Sequence, residues 1–234
     1  YAVGKDDISF DDEKTYYLDM FGKVFYTPNM RTSGDTYGVV AELARERGLD
    51  GKYQARIIQG RRPQFVEDTQ KNPKSSERFK LSATNVGTVV LSFAKNVTID
   101  GIGFSSDDIT QWIKPNDPIS YSLNENGEIQ SVRRLMQHGE KGVNRIFDYD
   151  TRTFGGSAGG AFFIDNSTTF IINPINKAVA ENFLVSAEIT QGNSVAITGY
   201  DVNEKTKIAS VAVIDSTREY YLFWSSKIVT LLQN

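Results

Sequence analysis

Ile119-Ser120-Tyr121-Ser122-Leu123, Asn124-Glu125-Asn126-Gly127-Glu128, Ile129-Gln130-Ser131-Val132: this stretch decides the fold. Its outer runs alternate apolar and polar residues, the spacing that sends successive side chains to opposite faces of a strand. Asn126-Gly127 lies between them. Those two residue types tolerate the positive φ angles of a tight turn, so the segment reads as a β-hairpin.

Working outward, the same signals recur. Upstream, Thr15–Met20 and Val24–Thr27 are aromatic-rich runs around Phe21-Gly22-Lys23, again a hairpin. Tyr37–Gly48 is ambiguous. Ala41–Arg47 are good helix formers, but the β-branched and aromatic start favours a strand that bends near Arg47–Gly51. Lys52–Gln59 alternates as a half-buried strand should. Residues 61–76 are polar with two prolines and read as a loop or weak edge. Arg78–Ser82, Thr88–Phe93 and Asn96–Ile99 are short strand candidates, and Ser105–Ile109 can cap one helical turn. Downstream, Ile146–Tyr149, Ala161–Ile164, Thr168–Asn173, Phe183–Val185, Ala196–Val202 and Lys207–Ile214 are short and β-branched or aromatic, with a helical turn at Ala178–Asn182. Such spacing marks small barrels or sandwiches.

The expected fold is therefore mainly β: two to three small antiparallel modules, barrels or sandwiches, with one or two short helices. A polar, glycine-containing break at Gln137–Gly142 sets a boundary. The expected organisation is a hairpin segment over 1–35, a barrel-like module over 36–136, a second β module over 140–216 and a strand or linker over 217–234.

Composition limits the function classes. A chain of 234 residues with 39% hydrophobic content can bury a core. Its net charge of −3 sets up no positive field for nucleic acid. No apolar run reaches the roughly 18 residues of a membrane span. The absence of cysteine removes disulfides, thiol nucleophiles and thiolate metal sites. The chain opens on Tyr1 with no signal-like segment, so the expectation is a mature product or an excised piece.

Several constellations invite a chemical reading. Gly155-Gly156-Ser157-Ala158-Gly159 matches the G-x-S-x-G spelling of a nucleophile elbow, which needs a strand before it, a helix after it and a histidine partner. Here the following residues read as strand, and the chain's one histidine, His138, lies only nineteen positions upstream. A glycine-rich bend is the better reading, and no catalytic residue and no cofactor is expected. Asp6-Asp7, Asp11-Asp12-Glu13, Asp107-Asp108 and Asp148/Asp150 are acidic clusters without EF-hand spacing. They leave the metal unknown: a Ca²⁺ site built from distant loops competes with solvated negative turns. Trp112 and Trp224 are the candidates for a glycan platform, against the ordinary reading of tryptophan as core. Arg61-Arg62 and Arg133-Arg134 read as charges that discourage strand-on-strand aggregation.

A resemblance gathers these segments. Tyr17–Tyr26 is similar to the "YxLDxxGKVVY" hairpin of β-rich modules in clostridial and related Gram-positive surface proteins of the S-layer type, which often carry S-layer homology domains. Tyr37–Val40 with Gly48–Ile57, the Ile119–Ile129 hairpin, and Phe163–Pro174 resemble the units that follow it, in the same order. The loop at 61–76 and the glycine cluster at 155–160 depart from the pattern. The resemblance implies an exported structural protein of the bacterial cell surface or cell wall, with a phage virion or tail module as the alternative. Its implied partners are other copies of itself, neighbouring surface or virion proteins, or cell-wall polysaccharide. It carries no catalytic residues.

Overall fold

One strand of 21 residues, Phe79–Ile99, organises the molecule. In the computed structural model the described residues are 17–18, 24–26, 36–47, 51–72, 74–156, 160–174 and 186–215. Strands are numbered in chain order: β1 Tyr17–Leu18, β2 Val24–Tyr26, β3 Thr36–Arg45, β4 Tyr53–Gly60, β5 Gln64–Glu67, β6 the long strand, β7 Ile102–Ser105, β8 Pro118–Leu123 and β9 Ile129–Arg134. They continue as β10 Gln137–His138, β11 Asn144–Asp148, β12 Thr153–Gly155, β13 Phe162–Phe163, β14 Thr169–Asn173, β15 Ser186–Thr190, β16 Ser194–Val202 and β17 Ala209–Asp215. Among the described residues the one α-helix is α1, a single turn over Ile109–Trp112. The protein is mainly β.

The chain divides into two compact units, Tyr1–Thr36 and Tyr37–Asn234. In the first, β1 and β2 form an antiparallel hairpin.

In the second unit, β3, β4, β6, β9 and β8 pair in that order, and β8 returns to β3, closing a five-stranded barrel. Closure needs β9 to lie parallel to β6, through Phe93↔Ile129, Thr98↔Ser131 and Ile99↔Val132. Every other barrel pair for which the register is described is antiparallel, so this parallel closure was not part of the sequence reading. Val40, Ile57, Phe93, Val97, Ile99, Ile119, Ile129 and Val132 fill the interior. Ile109 and Ile113 of the α1 segment join them, fully buried.

The second sheet runs β13-β12-β11-β16-β17-β14, with β10 on β16. Here too one pair is parallel, β14 with β17, from Thr169↔Val211 to Asn173↔Asp215. The outer strand β13 is drawn back toward β17: the Phe163 N–H donates to the Lys207 carbonyl at 2.8 Å, and Phe163 bridges Ile208. If β13 and β14 count as one strand broken by a turn, the sheet repeats the order of the barrel.

The N-terminal half of β6 leaves the barrel and is flanked by β5 on one side and β15 on the other. Its Leu81 and Ala83 pack with Phe147, Phe154, Phe162 and Phe170 of the second sheet. A third apolar cluster lies between barrel and sheet, joining Val39, Ala41, Ile58 and Leu135 to Ile171, Tyr200, Val211 and Val213.

Candidate functional site

Trp112 is placed by a short chain of local causes. Ser105 Oγ accepts the Asp107 N–H at 3.3 Å, starting a 3₁₀ turn over Ser106–Asp108 that leads into α1. With Ile109 and Ile113 turned into the barrel, the other side of the turn faces out, leaving Trp112 38% exposed. Its ring packs on Phe104, centroids 4.5 Å apart and planes 37° from parallel. Nearby, Asp107 pairs with Arg45 at 3.2 Å, and the Arg45 guanidinium lies 5.6 Å from the Tyr53 ring centre. This end of the barrel thus carries aromatic surface beside charge, an arrangement able to stack on a sugar face or an apolar side chain. Trp224 lies outside the described residues.

Ser157 also lies outside them, as do Asp6-Asp7 and Asp11-Asp12-Glu13. The flanks of its glycine cluster are strands, β12 before and β13 after, where an elbow would enter a helix. His138 is half-buried in β10, with Nε2 3.0 Å from where a Cβ on Gly160 would sit. Gly160 has φ +75°, so any side chain there would be strained as well as crowded.

Arg145 is the residue that the sequence reading missed. It is fully buried in β11. Its guanidinium donates to the carbonyls of Gly160 at 3.2 Å, Glu140 at 3.2 Å and Ile197, and lies 5.6 Å from the Phe162 ring centre. Burial pulls its pKa down, opposed by the Glu140 carboxylate. The planar fork ties the 139–143 loop, the end of the glycine cluster and β16 together.

The acidic groups are engaged locally. Asp108 accepts from Gln111, and Asp148 accepts the Thr151 N–H at 2.9 Å. That N–H, with the Thr151 hydroxyl next in effect, holds the Asp148 carboxyl below its usual range. Among the described residues no group of three His, Cys, Asp or Glu side chains could hold a metal ion. The two basic pairs divide: Arg133 binds Asp201 and Arg134 binds Asp100, while the Arg61 backbone bridges Phe170.

The most specific polar geometry lies where barrel and sheet meet. Asn85, buried in β6, donates Nδ2 to the Ile172 carbonyl at 2.7 Å and accepts the Ile172 N–H on Oδ1 at 2.9 Å. Its side-chain amide thereby pairs with β14 as a neighbouring backbone would. At the end of β4, the Arg61 N–H donates to the Phe170 carbonyl at 3.2 Å and the Arg61 carbonyl receives the Phe170 N–H at 2.8 Å. Further along, Asn173 donates to Asn116 and Asp215, each at 3.3 Å. Tyr200 is buried beside Asp215 and Asp117, and burial first, then the Asp215 charge, push its pKa up to about 12.

No family model, curated protein or solved structure matches the chain.

Proposed function

We propose that the chain is a structural and assembly segment of a bacterial surface protein of the S-layer type, acting through protein–protein contacts at the cell wall. The observation that supports this most is the joint between barrel and sheet. The N-terminal half of β6 packed on the sheet, a side-chain amide pair, a backbone bridge and a common apolar cluster join the two β units. Joined in this way, the two units fix the spacing of their exposed hairpin tips, which a repeating surface lattice requires. Neighbouring surface proteins or further copies are the partners, and the reading assigns no reaction to the chain.

Two measurements test it. Antibody to the chain should label intact producing cells, and the purified protein should form sheets or filaments by negative-stain electron microscopy as concentration rises. Signal only after lysis, together with single particles at every concentration, would sink the proposal. Turnover of an ester or peptide lost in Ser157→Ala would replace it with an enzyme.

The exposure of Trp112 on Phe104 favours a second reading, a virion or adhesin module that holds wall glycan. Sedimentation with purified cell wall that disappears in Trp112→Ala would select it.

A further inference from the structure

Three stretches share one spelling at one spacing. Tyr16-Tyr17-Leu18-Asp19 leads to Gly22-Lys23-Val24, Tyr121-Ser122-Leu123-Asn124 to Gly127-Glu128-Ile129, and Tyr200-Asp201-Val202-Asn203 to Thr206-Lys207-Ile208. Each runs Tyr, any residue, Leu or Val, Asn or Asp, two more residues, Gly or Thr, a charge, then Val or Ile.

The second and third copies show what the spelling builds. Tyr121 and Tyr200 are both buried, at 4% and 2% exposure, and pair with Val132 and Val211 respectively, each eleven residues on. The Asn is the acceptor that shapes the turn. Asn124 Oδ1 takes the N–H groups of Asn126 and Glu128 at 3.0 and 2.9 Å. Asn203 Oδ1 takes those of Lys205 and Thr206 at 2.9 and 3.0 Å. Both hairpins are the last two strands of their arrangement. One flank lies on the first strand, β3 or β11, and the other lies parallel to the third, β6 or β14.

The first copy has the register of the second. Tyr17 pairs with Tyr26 and Leu18 with Val24, with the ladder shifting between Tyr17 and Leu18. In β8–β9, Ser122 pairs with Ser131 and Leu123 with Ile129, with the shift between Ser122 and Leu123. Loop length and irregularity coincide position by position. A bulge of this kind is a specific feature of a ladder and does not follow from a hairpin as such. Among the described residues of Tyr1–Thr36 the hairpin stands as a two-stranded sheet, which is marginal in water by itself.

We infer that β1–β2 is the closing hairpin of a further barrel, and that its flanks fit the opening strands of another module of this type. One such strand lies beside β1, as β3 lies beside β8. Another runs parallel beside β2, as β6 does beside β9. This inference rests on the repeat and not on a surface role. Its failure would leave the labelling and assembly experiment untouched.

A graft in the full chain tests it. Residues 121–131 are replaced by the sequence of residues 16–26, which keeps Tyr at 121, Leu at 123 and Gly at 127, puts Asp in the turn and changes buried Ile129 only to Val. The control graft uses residues 17–27 at the same place, one position out of register: Tyr again falls at 121, but the turn Asp moves from 124 to 123, the turn Gly from 127 to 126, and fully buried Ile129 becomes Phe. The in-register graft should unfold cooperatively with a Tm about 5 °C lower, and the shifted graft should lose the transition. Two equal outcomes, both folded or both unfolded, overturn the inference. In the unaltered chain, amide exchange at Val24–Tyr26 should be far faster than at Ile129–Val132, because among the described residues β1 and β2 pair only with each other. Equal protection at the two hairpins overturns the assignment of an outside partner.

Discussion

The barrel and the second sheet reach the same strand order with different third strands. In the barrel the third strand is the unbroken β6, and the interior is mostly aliphatic, stoppered by Ile109 and Ile113. In the sheet the third strand breaks into β13 and β14. The Asp165 carboxylate takes the N–H groups of Ser167 and Thr168 there, at 2.8 and 3.1 Å, and the Thr168 hydroxyl donates to the Ala209 carbonyl at 2.8 Å. Its interior is a stack of phenylalanines with a buried arginine: Phe147 lies 5.0 Å from Phe154, and Phe154 lies 5.6 Å from Phe162. The difference teaches that closure depends on the parallel pairing of third and fifth strands, not on an uninterrupted third strand. The length that β6 has to spare reaches out and joins the two bodies.

The harshest way to break the comparison is at the joint. A Cβ on Gly60 would sit 1.7 Å from the Phe170 carbonyl oxygen, and backbone cannot yield as a flexible side chain can. Gly60→Ala should therefore cost roughly 4 kcal/mol or more in urea unfolding. Amide protection of Phe170–Ile172 should fall while that of Tyr121 and Val132 persists. Loss of both together would mean that the joint is a condition of the barrel's own stability.

Next in size is Arg145, which separates the two interiors. Arg145→Met fills much of the volume but strands the buried Ile197 carbonyl and releases the part-buried bonds to Gly160 and Glu140. A buried acceptor left unpaired costs about 1–3 kcal/mol, so with the two lesser bonds a loss of roughly 3 kcal/mol is expected, confined by hydrogen exchange to β11–β17. Arg145→Lys should not restore it, since an ammonium lacks the planar fork. A silent Arg145→Met would show that the arginine is dispensable to the sheet.

A smaller effect belongs to Asn85. Asn85→Ala removes two buried hydrogen bonds with Ile172 and should cost about 2 kcal/mol. Asn85→Asp should cost more at neutral pH, because a carboxylate keeps the acceptor but turns the donor arm against the Ile172 carbonyl. If Asp were better tolerated than Ala, the amide would not be pairing as its geometry indicates.

These residues also mark where sequence stops being legible. The 119–134 hairpin, the capped turn at Ser105 and the strand over Tyr37–Arg45 follow from local alternation and local capping, and all are present. The long β6 reads as three short strands, in part because Asn85 and Gly87, one residue apart, are both turn-forming types. Only the contact with Ile172, far off in sequence, makes a buried Asn consistent with a strand. Arg145-Ile146-Phe147 misleads in the same way: the pleat turns Arg145 and Phe147 inward and leaves Ile146 56% exposed, the reverse of what hydropathy suggests. Parallel closure has no local signature at all. The internal repeat is present in the sequence, where three segments keep Tyr, Leu or Val, and Asn or Asp at fixed spacing, but the sequence reading takes them as separate hairpins and strands.

The finest distinction is between the two equivalent tyrosines. Tyr121 accepts a hydrogen bond from Gln59 Nε2 at 2.8 Å, whereas Tyr200 is buried with Asp215 and Asp117 near its hydroxyl. Below pH 10 a tyrosine is neutral in both folded and unfolded chains, so Tyr200 adds no pH dependence. Between pH 10 and about 12 the unfolded chain releases the proton and the folded chain keeps it, so stability drains away as pH climbs through that window. Urea unfolding at about pH 9 and about pH 11 should therefore show a smaller loss in Tyr200→Phe than in the unaltered protein. Tyr121→Phe removes the bond from Gln59 and should cost about 1 kcal/mol at about pH 9. An equal loss between the two pH values in Tyr200→Phe and in the unaltered protein would mean that burial beside Asp215 does not hold the Tyr200 proton in place.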